Sequence, residues 1–293
     1  VIVLMSESRL LLVDGLAGAY RFFHAIRGLR TKAGEPVNAV FGFVRMMQQL
    51  ERAWKPTHLA VVFDGGTPPA RLALVPDYKA HRKPMPDDLK AQLPVLNAYL
   101  EAAGIEALRL DACEADDVIA TLARRAATDG SDVMIATGDK DLFQLVDGHV
   151  RIVSLAGEPT AMDADAVEQK TGVRPEQIPD WLAMTGDAAD NIKGACGVGP
   201  KTAAKLLKTF GGLQAIYAQL DSVESPKLRQ VLADSRAIVE RNLKMVRLDC
   251  AVPGVPDWHP LKREQPPASA LLAFYRRYEF TAFANNLMSP ELF

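Results

Sequence analysis

Three short apolar runs, each ending on a carboxylate, constrain this chain more than any other feature. Arg9-Leu10-Leu11-Leu12-Val13 stops at Asp14, and His58-Leu59-Ala60-Val61-Val62-Phe63 stops at Asp64. Asp132-Val133-Met134-Ile135-Ala136-Thr137 runs into Gly138-Asp139-Lys140-Asp141. Runs of this length without polar alternation fit strands buried on both faces. Helical patterns at 39–54, 86–103 and 115–127 separate them. Strands alternating with helices predict an α/β domain with a mostly parallel sheet, whose binding crevice lies at the carboxyl ends of the strands. Each strand presents an acid at that end.

Past about residue 175 the pattern becomes helical, at 179–184, 200–210, 212–219 and 225–246. Prolines 253, 256, 260, 266 and 267 mark a looser connection, and 271–280 reads as a closing amphipathic helix. The expected organisation is a catalytic unit at 1–175, an all-α unit at 176–255 and a closing tail at 256–293. The 293 residues suffice for these parts, about half of them apolar and a quarter charged. No apolar run approaches a membrane span, and Val1-Ile2-Val3-Leu4-Met5 is too short for a signal-peptide core. Either Val1 or Met5 can be the start. The three cysteines, Cys113, Cys196 and Cys250, are far apart and form no CxxC pair, which fits a reducing cytoplasm.

The net charge is −2, an unpromising total for a nucleic-acid binder. The distribution points the other way. Residues 191–220 hold Lys193, Lys201, Lys205 and Lys208 and no acid. Residues 226–247 hold Lys227, Arg229, Arg236, Arg241, Lys244 and Arg247 against Asp234 and Glu240. Separate acidic and basic zones suit a protein that holds cations in one place and phosphates in another.

The acidic zone comprises Asp14, Asp64, Glu114, Asp116, Asp117, Asp139, Asp141, Asp187 and Asp190. Singly, each has a plain explanation as a turn residue, a cap or a complement to a helix N-terminus. Together, three strand ends and one helix start converge on one sheet edge. Like charges packed there raise one another's pKa and destabilise the fold unless cations neutralise them. The ligands are all hard oxygen, which favours Mg²⁺ or Mn²⁺ over Zn²⁺. Two such ions roughly 3.5–4 Å apart can activate water and stabilise the leaving oxygen of a phosphodiester.

These residues resemble the bacterial 5′-nuclease (flap endonuclease) family, in particular the 5′→3′ exonuclease domain of DNA polymerase I. The resemblance rests on Leu-Leu-Leu-Val-Asp14-Gly, Val-Val-Phe-Asp64, Tyr78-Lys79-Ala-His-Arg82-Lys-Pro, Glu114-Ala-Asp116-Asp117, Thr-Gly-Asp139-Lys-Asp141 and Gly186-Asp187-Ala-Ala-Asp190-Asn-Ile. It continues through Gly197-Val-Gly199-Pro-Lys201-Thr-Ala to Tyr278-Glu279-Phe280. It implies a PIN-like, Rossmann-like nuclease domain followed by a helix-hairpin-helix (SAM-like) domain. It implies a metal-dependent enzyme that hydrolyses DNA at flaps, nicks or 5′ ends in replication and repair, as a monomer, with a DNA polymerase as a partner. Asp14, Asp64, Glu114 and Asp116 would hold one metal ion. Asp139, Asp141 and Asp187 would hold the other, with Asp117 and Asp190 supporting from the outer sphere.

The segment 67–95 carries Arg71, Tyr78, Lys79, His81, Arg82, Lys83 and Lys90 among six prolines. By composition it is a solvated loop; by resemblance it is a mobile basic arch. Lys79 and Arg82 would then hold the scissile phosphate. Tyr78 would stack on an unpaired base, and Arg71, Tyr20 and Arg21 would contact DNA. Gly194-x₄-Gly199 is followed by Pro200, where a phosphate-binding P-loop requires lysine. A helix-hairpin-helix fits instead: Gly197 and Gly199 make the turn, and Pro200 opens a helix whose free amides meet a phosphate. Lys201, Thr202 and Lys205 would add duplex contacts blind to base sequence. The resemblance also implies K⁺ at this turn. The competing expectation is a non-catalytic branched-DNA-binding paralogue, and retention of the whole acid set weighs against it.

Overall fold

A computed structural model describes residues 8–288 except 156 and 266; Met5 and Pro266 therefore lie outside the described residues. The chain opens with β1 (Arg9–Asp14), α1 (Gly15–Ala25), α2 (Asn38–Trp54) and β2 (His58–Phe63). Short α3 (Pro69–Leu74) and α4 (Asp87–Lys90) lead to α5 (Leu93–Ala102), β3 (Glu106–Arg109), α6 (Ala115–Thr128) and β4 (Asp132–Ala136). β5 (Val150–Val153), β6 (Ala161–Met162) and α7 (Ala164–Thr171) complete the first part. The sheet order is β3-β2-β1-β4-β5-β6, parallel except for β6. Strand order reverses between β1 and β4, so the crevice of this open sheet lies beyond their carboxyl ends, at Asp14 and Asp139.

The unbroken apolar character of the central strands follows from burial on both faces. Leu10, Leu12, Ala60, Val62, Val133 and Ile135 face α6 and the helices that follow the sheet. Leu11, Val13, Leu59, Val61 and Met134 face α2 and α5. The closing helices α12 (Ala268–Arg277) and α13 (Thr281–Met288) also lie on this second face. Phe274, Phe280 and Phe283 pack with Phe41 of α2, with Phe41–Phe283 ring centroids 5.1 Å apart.

The helical part consists of α8 (Ile178–Thr185), a small hairpin of β7 (Gly186–Asp187) and β8 (Ile192–Lys193), α9 (Pro200–Phe210), α10 (Leu213–Ala218) and α11 (Pro226–Val246). Its core is continuous with the first face of the sheet through Trp181, Leu182, Val239 and Met245. Buried Asn242 pins the hairpin in place: its amide donates to Ala183 O at 3.0 Å and Lys193 O at 2.8 Å. This fastening delivers Asp187 and Asp190 to the sheet edge.

The helix expected at 86–103 is two helices. Pro94, in the first turn of α5, cannot supply the amide that would join it to α4. The closing segment is likewise two helices, divided where Glu279 adopts φ 60.

Candidate active site

The acids arrive from five places. Asp14 ends β1 and caps α1: Oδ1 accepts from Ala17 N at 2.9 Å and Oδ2 from Thr137 Oγ1 at 3.1 Å. Asp64 follows β2 and accepts from Ala115 N at 3.1 Å, which ties it to the start of α6. Gly65 allows this approach, because a Cβ there would lie 1.6 Å from Leu110 O. Glu114, at the N-cap of α6, and Asp116 and Asp117 in its first turn come next. Past β4, Asp139 Oδ1 accepts from Asp141 N at 2.9 Å. The β7–β8 hairpin adds Asp187 and Asp190, and carboxylate oxygens of Asp141, Asp187 and Asp190 lie within 4.8 Å of one another.

These carboxylates differ in how their charge is met. Glu114 receives Arg71, Lys79 Nζ at 2.6 Å and the Tyr78 hydroxyl at 3.2 Å. Asp117 pairs with Arg71 at 2.8 Å and accepts from Asp249 N at 2.9 Å. Asp190 receives Arg82, the Tyr78 hydroxyl at 3.0 Å and, farther off at 3.8 Å, Lys79. Lys140 lies 3.2 Å from Asp187. Asp14, Asp64, Asp116, Asp139 and Asp141 have no ion pair among the described residues. Asp141 Oδ1 is buried and has no hydrogen-bond partner among the described residues. Such an atom is costly unless something occupies it.

The electrostatics agree with this division. Burial, reinforced by Asp64 and Asp139, pushes the Asp14 carboxyl up to about 6. Burial also raises Asp116, with added repulsion from Asp139, Asp14, Asp64 and Asp141. Asp141 is raised by burial and then by Asp139 and Asp187. Asp116 thus senses acids of both expected groups, and the two groups form one continuous centre. Buried oxygens, mutual repulsion and an orphaned Asp141 atom fit hard divalent cations.

A pH prediction follows. A carboxyl whose folded pKa exceeds its unfolded value binds more protons when folded, so stability falls as pH rises through that interval. The metal-free protein is therefore expected to melt at a higher temperature near pH 6 than near pH 7.5. Divalent ions should raise the melting temperature at pH 7.5 and flatten the pH dependence. Calorimetry with and without EDTA tests this; a metal-free melting temperature that rises with pH over the same range would contradict the charge repulsion.

Two residues of the expected arch have a different place from the one inferred. Tyr78 is 6% exposed and has its hydroxyl between Glu114 and Asp190, so no ring face is open for a base. Arg71 is 8% exposed and bridges Glu114 and Asp117, so it orients acids and is not available to DNA. The inner arch is held on the acid cluster: Lys79, at φ 57, also donates its backbone amide to Asp190 O at 3.1 Å. Arg82 remains partly exposed. Thr137 and Lys140 were missed as supporting residues, although both stand inside the Thr137-Gly-Asp139-Lys140-Asp141 motif that singles out this stretch.

The hairpin residues lie at the surface of the helical part. Gly197 has φ 81, the left-handed region glycine tolerates best, and exposed Gly199 precedes α9. Lys201 and Lys205 are exposed one turn apart, with Thr202 half-buried between them. On α1, Arg21 is exposed and Tyr20 half-buried, 6.3 Å from the His24 ring.

A parallel α/β domain with a carboxylate centre at its switch point, followed by a SAM-like helical domain, defines the class. Family models agree: residues 9–172 match the 5′-3′ exonuclease N-terminal resolvase-like domain, and residues 173–269 match its C-terminal SAM fold. The chain belongs to the 5′-3′ exonuclease family. It is 41% identical to DNA polymerase I of Pseudomonas aeruginosa over 97% of its length, and it spans 32% of that relative. It is 39% identical to a 5′-3′ exonuclease of Aquifex aeolicus, over 82% of this chain and 81% of that one. Among solved structures, T5 5′-exonuclease with bound zinc superposes with a TM-score of 0.70 at 22% identity, covering 96% and 98% of the two chains. The catalytic core of Rad2 in complex with DNA substrate superposes at 0.67 with 20% identity, covering 97% and 92%. At these identities the structural likeness speaks for the fold. Among the described residues, no helix is long and apolar enough to cross a membrane.

Proposed function

We propose that this chain is a structure-specific, divalent-ion-dependent 5′-nuclease that hydrolyses DNA at flaps, nicks and 5′ ends. The observation that carries this is the juxtaposition of uncompensated buried acids with Lys79 and Arg82, all at one sheet edge. Asp14, Asp64, Asp116, Asp139, Asp141 and Asp187 would hold the ions, Mg²⁺ or Mn²⁺. Glu114, Asp117 and Asp190, already met by arch cations, would orient them from behind. Divalent ions held there would lower the pKa of a nearby water and offset charge at the leaving oxygen. Lys79 and Arg82 place fixed positive charge where the phosphate gains negative charge. Arg71 and Tyr78 keep Glu114, Asp117 and Asp190 in register for that task.

The relatives named DNA polymerase I support a replication or repair setting with a polymerase as partner; a cytoplasmic location and a monomeric unit are part of the same proposal. The glycine turn at 194–199 suits K⁺ held by main-chain oxygens. In the same reading residues 1–175 do the chemistry, 176–255 grip duplex and 256–293 close the catalytic unit. A Mg²⁺-dependent cleavage assay on labelled 5′-flap, nicked and blunt duplexes tests the proposal. Equal rates on single strands and flaps would remove structure specificity, and no cleavage in Mg²⁺ or Mn²⁺ would remove the nuclease reading.

The hairpin makes a separate prediction. The Lys201→Ala/Lys205→Ala variant should bind flapped duplex more weakly at moderate salt, with the slope of log K against log salt reduced by about one per lysine. At low salt and saturating enzyme its single-turnover rate should stay near wild type. Anisotropy titrations decide it: an unchanged slope means that these lysines only solvate α9.

A further inference from the structure

A cavity of about 840 Å³ opens between α10 and the C-terminal half of α11, and none of the nine acids lines it. Its volume is that of a small-molecule site. The apolar part of the wall is formed by Leu213, Leu243, Leu248 and the ring of Tyr217, and exposed Gln214 also lines the cavity. At the rim, Arg236 is tied to Glu240 at 2.8 Å and lies over the Tyr217 ring, 5.1 Å from its centroid. Lys244 and Arg247 also line the cavity and are exposed, and neither makes an ion pair among the described residues. Asp249 is the remaining acid, and its carboxylate accepts from Ala251 N at 2.8 Å. The Tyr217 hydroxyl is buried and has no hydrogen-bond partner among the described residues.

Two free cations beside an apolar slot select an anion with a hydrophobic body. The tyrosine wall with its guanidinium cap selects a planar, aromatic one. We propose that this cavity binds a nucleoside 5′-monophosphate, with the base against Tyr217 and Leu243 and the phosphate on Lys244 and Arg247. The choice of ligand rests on the nuclease reading, because mononucleotides are what 5′→3′ exonucleolytic hydrolysis releases.

The cavity is wired to the catalytic edge. Asp249 N donates to Asp117 Oδ1 at 2.9 Å. Leu248 N donates to Gln144 Oε1 at 3.1 Å, and the Gln144 amide donates to Asp141 O at 2.8 Å. A ligand that shifts residues 247–249 therefore acts on the segments that carry Asp117 and Asp141, as product feedback would require.

Calorimetric titration of the full chain with dAMP in EDTA tests the site, because the metal-free carboxylate centre repels phosphate. The expected Kd is roughly 10 µM to 1 mM. Lys244→Ala/Arg247→Ala should weaken it about tenfold or more. Ala218→Trp, which fills the slot from its exposed edge, should abolish it. Inorganic phosphate and deoxyadenosine should each bind more weakly than dAMP. Absence of dAMP binding at millimolar concentration, or binding unchanged in the double variant, overturns the proposal. So does a double variant that alters only the salt slope of duplex binding, which would make the rim a DNA-backbone surface. The titration needs no catalysis, so a chain that binds dAMP yet cuts no flap would refute the nuclease reading and leave the cavity assignment standing.

Discussion

Asp116→Ala is expected to reduce cleavage to less than about one thousandth of the wild-type rate while leaving flap binding within a few-fold. Asp116 lies in the first turn of α6, and its carboxylate is raised by burial and by acids from β1, β2 and the segment after β4. It is therefore common to both halves of the centre, and a cation held by either half loses a ligand or a neighbour when it is removed. DNA affinity should persist, because Arg82, Lys201 and Lys205 are untouched. The same substitution removes one of several mutually repelling buried charges, so the metal-free protein should melt at the same or a higher temperature. Quenched-flow cleavage, anisotropy and calorimetry on one preparation check all three expectations. Cleavage near the wild-type rate would remove Asp116 from the centre. A clear fall in melting temperature would show that its carboxylate stabilises the fold and does not strain it.

The parts of the molecule legible in the sequence are those whose signal is local. β2 and α9 run over the expected residues, because a two-sided apolar run and a Gly-Pro opening are written within a few positions. β3 escaped because three of its four residues are exposed at the sheet edge, so Glu106-Ala107-Leu108-Arg109 shows neither alternation nor an apolar run. β5 escaped because four residues are too few to show a period. The acids could be named because each sits in a compact motif, but their division into compensated and uncompensated members could not. Arg71 meets Glu114 and Asp117 across 43 and 46 residues, and Tyr78 meets Asp190 across 112. Composition registers a basic, proline-punctuated segment; only the fold shows that its inner side chains are counter-ions of the acid cluster. That is why Arg71 and Tyr78 read as DNA contacts in sequence and as supports in the structure.

Lys79→Ala is expected to slow single-turnover cleavage by roughly 10²–10³-fold, the usual loss on deleting one preorganised electrostatic group. In the structure Lys79 Nζ bonds Glu114 Oε1 and leans toward Asp190, while its backbone amide is fixed on Asp190 O. Burial lowers the pKa of this ammonium, but the charges of Glu114 and Asp190 more than offset that and raise it overall. Lys79 is therefore charged at every working pH and contributes a fixed cation, not a titrating acid. Two consequences separate this role from a structural one. The pH dependence of the residual rate should keep its wild-type shape, because no titrating group has been removed. Lys79→Arg should recover only part of the rate, since a planar fork cannot reproduce a point charge lodged between two carboxylates. Glu114 keeps Arg71 and the Tyr78 hydroxyl in the alanine variant, so the fold has no newly isolated buried charge and nicked-duplex affinity should change little. A wild-type rate would demote the arch lysine to a counter-ion of Glu114 alone, and a shifted pH profile would make it a proton donor.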